Sequence, residues 1–339
     1  MKGSKKAYSY AKFGYLFSIP FVIGYVIFSL YPILYTFTVA FSDLKGLTTR
    51  DYNIYWDDLF KNFKTILGLA TFKTSLKNTV YIWILNFIPQ MALALLLASW
   101  FTDRRSKVKG QGFFKVVFYM PNIITAATVA ILFNSLFGYP KGPVNDLLCM
   151  LGIIDKDHLI NFALKKSAAQ NIVIFIQTWM WYGQTAIVLM AGILGISPEL
   201  FEAAEVDGAT QWETFIHITL PNIKTIMLFT LITSLIGGLN MFDIPYSFLA
   251  GGPDNATLTA AVFIYNQAFA GAYMYARAAA ASIIMFVIIC VLSAITFYLM
   301  RDKDAEKLRK QEKEARKAFK EKLAVMEAEA AAAEARKEA

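Results

Sequence analysis

The sequence predicts an all-α integral membrane protein with six transmembrane helices, and three observations support this class. Apolar residues make up 57% of the 339 residues, and the mean hydropathy is +0.46, which is high for a soluble domain. Six apolar stretches are long enough for a membrane-crossing helix, which needs roughly 20 residues. Short runs of basic residues separate several of these stretches. The stretches are residues 13–41, 80–101, 113–137, 171–194, 226–249 and 276–300.

The first stretch is far longer than the roughly 7–15 apolar residues of a signal-peptide core, so we expect it to remain as a helix. The sequence then divides into three parts. Residues 1–12 precede the membrane, residues 13–300 form one six-helix transmembrane domain, and residues 301–339 form a charged helical tail.

The distribution of basic residues predicts that both termini face the cytoplasm, because short cytoplasmic loops are enriched in Lys and Arg. The connection at residues 249–275 contains neither residue type. The connection at residues 42–75 carries several lysines, but long translocated loops follow the rule poorly. The basic clusters on the predicted cytoplasmic side are Lys2, Lys5, Lys6 and Lys12, then Arg104, Arg105, Lys107, Lys109 and Lys115, then Arg301, Lys303 and Lys307.

The net charge of +8 favours membrane topology over nucleic-acid binding, because the basic residues lie beside apolar stretches. No glycine-rich phosphate loop ending in Lys and Ser or Thr occurs, so we do not expect this chain to hydrolyse ATP. Cys149 and Cys290 are far apart and lack the spacing of metal ligands. We therefore predict no cofactor and no metal.

The tail leaves two alternatives open. Its charged residues at i,i+4 spacing are typical of a solvated cytoplasmic helix. Phe319, Leu323 and Met326 form a narrow apolar stripe, so a helix that docks on a partner is the second possibility.

The connection at about residues 197–221 predicts two short helices. Ser197 suits an N-cap and Pro198 a first helical position. Gly208 can adopt the left-handed conformation that ends a helix. Thr210 and Glu213 have the spacing of a capping box. Such a projection suits mechanical coupling to a neighbouring subunit, and an ordinary interfacial loop is the alternative.

The same connection resembles the "EAA" loop of permeases in binding-protein-dependent ABC importers. The matching residues are Glu202-Ala203-Ala204, Asp207-Gly208-Ala209, Phe215, Ile218 and Leu220-Pro221. Further matches to carbohydrate permeases of the maltose and glycerol-phosphate type extend to about residue 300. They are Leu30-Tyr31-Pro32-Ile33-Leu34-Tyr35, Leu76-Lys77-Asn78-Thr79, Gly142-Pro143-Val144-Asn145 with Leu151-Gly152, and Gly251-Gly252-Pro253 with Thr257.

This resemblance implies an ABC importer permease of the type I fold, in the plasma membrane of a bacterium or archaeon. The implied partners are a second permease, a cytoplasmic ATPase pair that binds the ATP, and an external binding protein that delivers a sugar. The residues expected to contact the ATPase are Glu202, Ala203, Ala204, Asp207 and Gly208. Met274 and Arg277 depart from the small residues of the family near the start of the sixth stretch.

Polar and aromatic residues of the fourth stretch are the first candidates for sugar contact. Gln177, Trp181 and Gln184 share one helical face at i, i+4 and i+7, and Tyr182 lies beside them. An indole can cover the C–H face of a sugar while amides bind its hydroxyls. The alternative is an interfacial aromatic belt with glutamines that join helices.

In the fifth stretch, the resemblance places Ser234 and Gly238 on the translocation path, with Asn240 nearby. Glycine at position 238 is expected to leave space for the substrate. The aromatic residues favour an oligosaccharide over glycerol phosphate, which would require more cationic residues in the spans.

Two other functions are weighed against an importer subunit. A secondary transporter should show inverted repeats and buried ionisable groups, but Asp243 is the clear acidic candidate within the spans and no duplicated half is visible. An intramembrane enzyme would need a nucleophile and a base, and the sequence shows no such set. Neither of these functions requires the EAA loop.

Overall fold

The structure is a computed structural model that describes residues 11–47, 51–103, 109–271, 273–300, 311–319, 321–323 and 326. Residues 1–10 of the predicted N-terminal segment, residues 104–108 of the second basic cluster and much of the tail therefore lie outside the described residues. Regular structure in the described ranges is helical, apart from an isolated antiparallel bridge between Ser42 and Ile54.

The helices up to the end of the fourth span, in chain order, are α1 (Ala11–Tyr25), a π-helical turn (Val26–Leu30), α2 (Tyr31–Ala40), α3 (Lys61–Gly68), α4 (Ala70–Thr102), α5 (Gln111–Ile123), α6 (Ala126–Leu136), α7 (Pro143–Met150) and α8 (Lys166–Leu194). Those that follow are α9 (Pro198–Val206), α10 (Gln211–Thr214), a second π-helical turn (Phe215–Thr219), α11 (Leu220–Asn222), α12 (Lys224–Leu239), α13 (Asp243–Leu249), α14 (Ala260–Phe269) and α15 (Tyr275–Met300). Residues 311–319 and 321–323 are also helical.

Five helical segments of the described chain are long and apolar enough to cross a membrane, namely Lys12–Ala40, Ala70–Thr102, Lys166–Leu194, Lys224–Leu249 and Tyr275–Met300. They coincide with five of the six predicted stretches. The remaining stretch, 113–137, is α5 followed by α6, and these two helices meet at a bend of 90°. This predicted span is therefore a sharply bent pair of helices.

The bend has a local cause. Ile124 and Thr125 are extended, with ψ of 139° and 138°, so the helix that contains Pro121 stops at Ile123. The Thr125 side chain then accepts a hydrogen bond from the backbone N–H of Thr128. This N-cap starts the new helix α6 in a different direction.

The bent pair nevertheless contacts both halves of α8. The ring of Phe118 in α5 lies 6.1 Å from that of Tyr182, in the second half of α8. The ring of Phe133 in α6 lies 5.9 Å from that of Phe175, in the first half. Since the two contacts advance in opposite directions along the bent pair and along α8, we count α5 and α6 as one broken span, which gives six spans in the described chain.

Buried polar contacts join α4 to α8. The Gln90 side chain donates to the Thr185 hydroxyl at 2.8 Å, and the Thr178 hydroxyl donates to the Asn86 carbonyl at 3.3 Å. Both contacts advance in the same direction along the two helices, so α4 and α8 are parallel. In a bilayer such bonds are a main source of helix association, because lipid is as apolar as the side chains themselves.

The motif residues near the ends of the spans have structural partners. The Asn78 side chain donates to the carbonyls of Asn255 and Leu258, at 2.6 and 3.2 Å. The Thr79 hydroxyl accepts from the backbone N–H of Ala260 at 2.8 Å. These bonds fix the start of α4 to the connection between α13 and α14.

Most of the first span has no partner within the described chain. The most apolar part of Lys12–Ala40 has no buried residue. Packing begins at its end, where Val39 and Ala40 contact the small residues Ala276, Ala279 and Ala280 of α15.

The close approach of α5 to α8 predicts intolerance of a side chain at Gly183. A Cβ at this position would overlap the backbone carbonyl of Phe118, and backbone moves only at a cost. We expect Gly183→Ala to destabilise the detergent-purified chain by about 1–3 kcal/mol, measured as a lower thermal unfolding temperature. The matched control is Gly237→Ala in α12, where nothing lies within 4 Å of the added atom. Equal unfolding temperatures for the two variants would contradict the close contact.

Candidate functional site

The first half of the connection between α8 and α12 is the short helix α9. Pro198 is its first residue, as predicted, but the Ser197 side chain makes no capping hydrogen bond. The end is a Schellman motif, in which Gly208 N–H donates to the Glu205 carbonyl at 3.1 Å and Ala209 N–H to the Ala204 carbonyl at 2.9 Å. Gly208 has φ of +74°, so the predicted left-handed helix end is confirmed.

The second half begins with the predicted capping box, which is confirmed. The Thr210 hydroxyl accepts from the Glu213 N–H at 3.3 Å, and the Glu213 carboxylate accepts from the Thr210 N–H at 2.8 Å. The Thr210 hydroxyl also donates to this carboxylate. Hydrogen bonds to the charged form lower the pKa of Glu213 below its ordinary value.

Apolar side chains hold this loop against the membrane helices. Phe201, Ile218 and Leu220 pack on a buried cluster that includes Ala98 of α4 and Ile193 of α8. The loop is therefore packed directly against the ends of both spans. We call residues 197–221 the coupling loop.

The five predicted contact residues of the coupling loop do not all face the same way. Ala204 is buried, whereas Glu202, Ala203, Asp207 and Gly208 are exposed. The loop thus presents carboxylates and small residues outward while one alanine faces the protein.

A cavity of about 880 Å³ lies between the coupling loop and the ends of α4 and α8. Aromatic, apolar and acidic side chains line it, among them Leu95, Trp100, Leu194, Glu202 and Trp212. The loop therefore rests on its apolar anchors with open space beside them.

Of the four residues of the fourth span that are predicted to contact sugar, the structure joins two by a hydrogen bond. The Trp181 indole donates to the Gln177 side-chain oxygen at 3.1 Å. Gln177 is 8% exposed and Trp181 is 43% exposed. The side-chain oxygen of Gln184 is buried and accepts no hydrogen bond from the described residues. Tyr182 lies apart, packed on Phe118 of α5.

In the fifth span, Ser234 and Gly238 both contact Trp83, a residue that the sequence analysis did not identify. The Trp83 indole of α4 donates to the Ser234 hydroxyl at 3.4 Å, and a Cβ added at Gly238 would overlap the indole ring. The space expected at Gly238 is therefore filled by Trp83. An indole N–H within an apolar span must find a partner, and that requirement was the available signal. Asn240 is exposed and donates to the Ile236 carbonyl of its own helix at 2.9 Å.

A comparison with protein families identifies the chain. The family model described as "Binding-protein-dependent transport system inner membrane component" matches residues 73–304. The chain belongs to this family. As a binding-protein-dependent inner-membrane component it is a permease of an ABC importer and not an enzyme, because the ATPase is a separate subunit.

A curated relative and a solved structure match this chain over most of its length. The lactose transport system permease protein LacF of Rhizobium radiobacter is 31% identical over 297 residues, which are 86% of this chain and 94% of LacF. A bacterial ABC transporter involved in the import of the acidic polysaccharide alginate has a chain with a TM-score of 0.72 and 25% identity, covering 85% of this chain and 94% of that one. The fold of an importer permease is thereby confirmed.

A second crystal structure, of bacterial alginate ABC transporter in complex with alginate pentasaccharide-bound periplasmic protein, gives a TM-score of 0.69 and 25% identity. The match covers 85% of this permease and 93% of that chain.

The lowered pKa of Glu213 predicts a pH-dependent coupling loop. A depressed pKa in the folded state means that the carboxylate stabilises the loop at neutral pH, and that this contribution is lost as the pH falls through the folded-state pKa. We expect Glu213→Ala to speed amide exchange at residues 211–214 at neutral pH, and the difference from the wild type to shrink in acid.

Hydrogen-exchange mass spectrometry of both proteins at the same pH cancels the intrinsic pH dependence of exchange. Glu199→Ala, in the first turn of α9, removes a carboxylate from the same loop and should leave residues 211–214 unchanged. A difference that is independent of pH would refute the role of the Glu213 charge.

Proposed function

We propose that this chain pairs with a second permease to form the translocation path of an importer for an oligosaccharide. A cytoplasmic ATPase pair drives the importer, and a binding protein delivers the sugar from outside. The observation that carries the proposal is the coupling loop, a rigid pair of capped helices anchored to the ends of two spans. An importer needs such a device because its chemistry occurs in another subunit.

The coupling works through rigid-body movement in this proposal. The outward side of α9, with Glu202, Ala203, Asp207 and Gly208, sits in the ATPase, and the small residues permit close backbone approach. Closure of the ATPase pair on ATP moves α9, and the anchors pass the movement to α4 and α8. The two states of the spans interconvert because ATP favours one of them through differential contacts. The permease itself needs no cofactor.

The orientation follows from the same assembly. With the coupling loop in the cytoplasm, six spans place both termini there as well. The absence of Lys and Arg from residues 249–275 supports an external location for that connection. The protein is then a multi-pass component of a bacterial or archaeal plasma membrane.

The substrate class is supported by the spans and by the relatives. The candidate path residues are neutral, with amides at Gln177 and Gln184, an indole at Trp181, hydroxyls at Tyr182 and Ser234, and another amide at Asn240. Gln184 adds an amide whose side-chain oxygen accepts no hydrogen bond from the described residues. LacF is named for lactose and the alginate transporter for a polysaccharide.

The coupling mechanism is tested at Gly208. The complex purified with its ATPase and second permease should import sugar from its binding protein into liposomes with ATP and without an ion gradient. Gly208→Leu should retain ATP hydrolysis but lose at least about tenfold in sugar uptake, because a leucine at φ of +74° is strained and obstructs close approach.

The matched control is Gly152→Leu, since Gly152 has φ of +69° and likewise has open space around it. It lies outside the coupling loop and should transport normally. Normal transport by Gly208→Leu would refute the coupling role, and uptake driven by an ion gradient alone would refute the importer.

The sugar path is tested at Trp181. Trp181→Phe keeps an aromatic face but removes the indole N–H that fixes Gln177. We expect the KM for sugar uptake to rise by about two- to tenfold, the worth of one hydrogen bond, with little change in ATP hydrolysis. Trp179→Phe is the control, because Trp179 packs on the apolar cluster around Phe133. An unchanged KM in Trp181→Phe would remove this residue from the path.

A further inference from the structure

Beyond the family match, which ends at residue 304, the described part of the chain includes a charged helical segment with an apolar stripe. Residues 311–319, 321–323 and 326 are helical. Ala315, Phe319, Leu323 and Met326 follow one another at intervals of four, four and three residues, so they share one face. Phe319 and Met326 are 66% and 65% exposed, and no described residue covers this face.

The charges around this face are arranged unevenly. Arg316 and Lys322 lie three residues before and after Phe319, so they flank the apolar face on its two sides. Glu314 and Glu321 lie five residues before and two after Phe319, which is the opposite side of a helix with 3.6 residues per turn. Glu312 falls on the apolar side, so this face is apolar only from Ala315 onward.

The positions of these charges indicate what the apolar face contacts. A fully solvated helix gives no reason for acidic residues to avoid the flanks of the apolar face. Residues 311–326 contain five Lys or Arg and three Glu, and the basic flanks are complementary to anionic lipid headgroups. Helices that lie in a membrane surface have this pattern of apolar face and basic borders.

The membrane is also within reach. Ten residues, 301–310, separate Met300 at the end of α15 from Gln311. A chain of that length can span at most roughly 35 Å, so residues 311–326 must lie near the surface from which the last span emerges. We propose that this segment is an interfacial helix that binds the anionic surface of the membrane through its apolar face and the flanking Arg316 and Lys322.

The test uses the full chain in nanodiscs, either of phosphatidylcholine alone or of an equal mixture with phosphatidylglycerol. We expect amide exchange in residues 311–323 to be about tenfold slower in the anionic discs, and high salt to remove the difference because it screens the attraction. Neither sugar nor ATP is needed, so the result is independent of the proposed transport function.

Arg316→Glu should abolish most of the protection. Lys317→Glu makes the same charge change at the next position, which points away from the apolar face, and should retain the protection. Equal protection in both lipids would show that anionic headgroups are not what the segment binds, and would overturn the proposal. Rapid exchange in both lipids, or equal effects of the two variants, would overturn it as well.

Discussion

The packing of α4 against α8 is the contact on which the rest of the described transmembrane structure depends. Two long parallel helices are held in register by two side-chain hydrogen bonds in a region where no water can replace them. The α5 helix then seats against α8 at Gly183, and α12 seats against α4 where Gly238 meets Trp83. Both later helices therefore take their positions from this central pair.

The coupling loop depends on the same pair, although its own shape is local. Each of its two helices is ended or started by hydrogen bonds within a few residues, at Gly208 and at Thr210 with Glu213. Its position comes instead from apolar anchors on the last turns of α4 and α8. The loop is consequently packed directly against the helix that carries Gln177 and Trp181.

Local chemistry explains which features the sequence predicted. Hydropathy located the spans, and turn chemistry located the helix end at Gly208 and the capping box at Thr210, because each depends on residues close in the chain. Hydropathy did not locate the 90° bend at Ile124, since an apolar stretch does not reveal where a span breaks. The contact of Trp83 with Gly238 was missed because it joins residues far apart in sequence. The functional roles of the candidate residues stay predictions.

On the proposed sugar path, hydrogen bonds that the protein has already made would limit how tightly a sugar is held. Trp181 is paired with Gln177, and Trp83 with Ser234, before any sugar arrives. A sugar hydroxyl that binds one of these groups exchanges one hydrogen bond for another, so each contact yields only about 0.5–1.5 kcal/mol. Weak retention suits a passage, since a site that bound its cargo strongly would slow release on the far side.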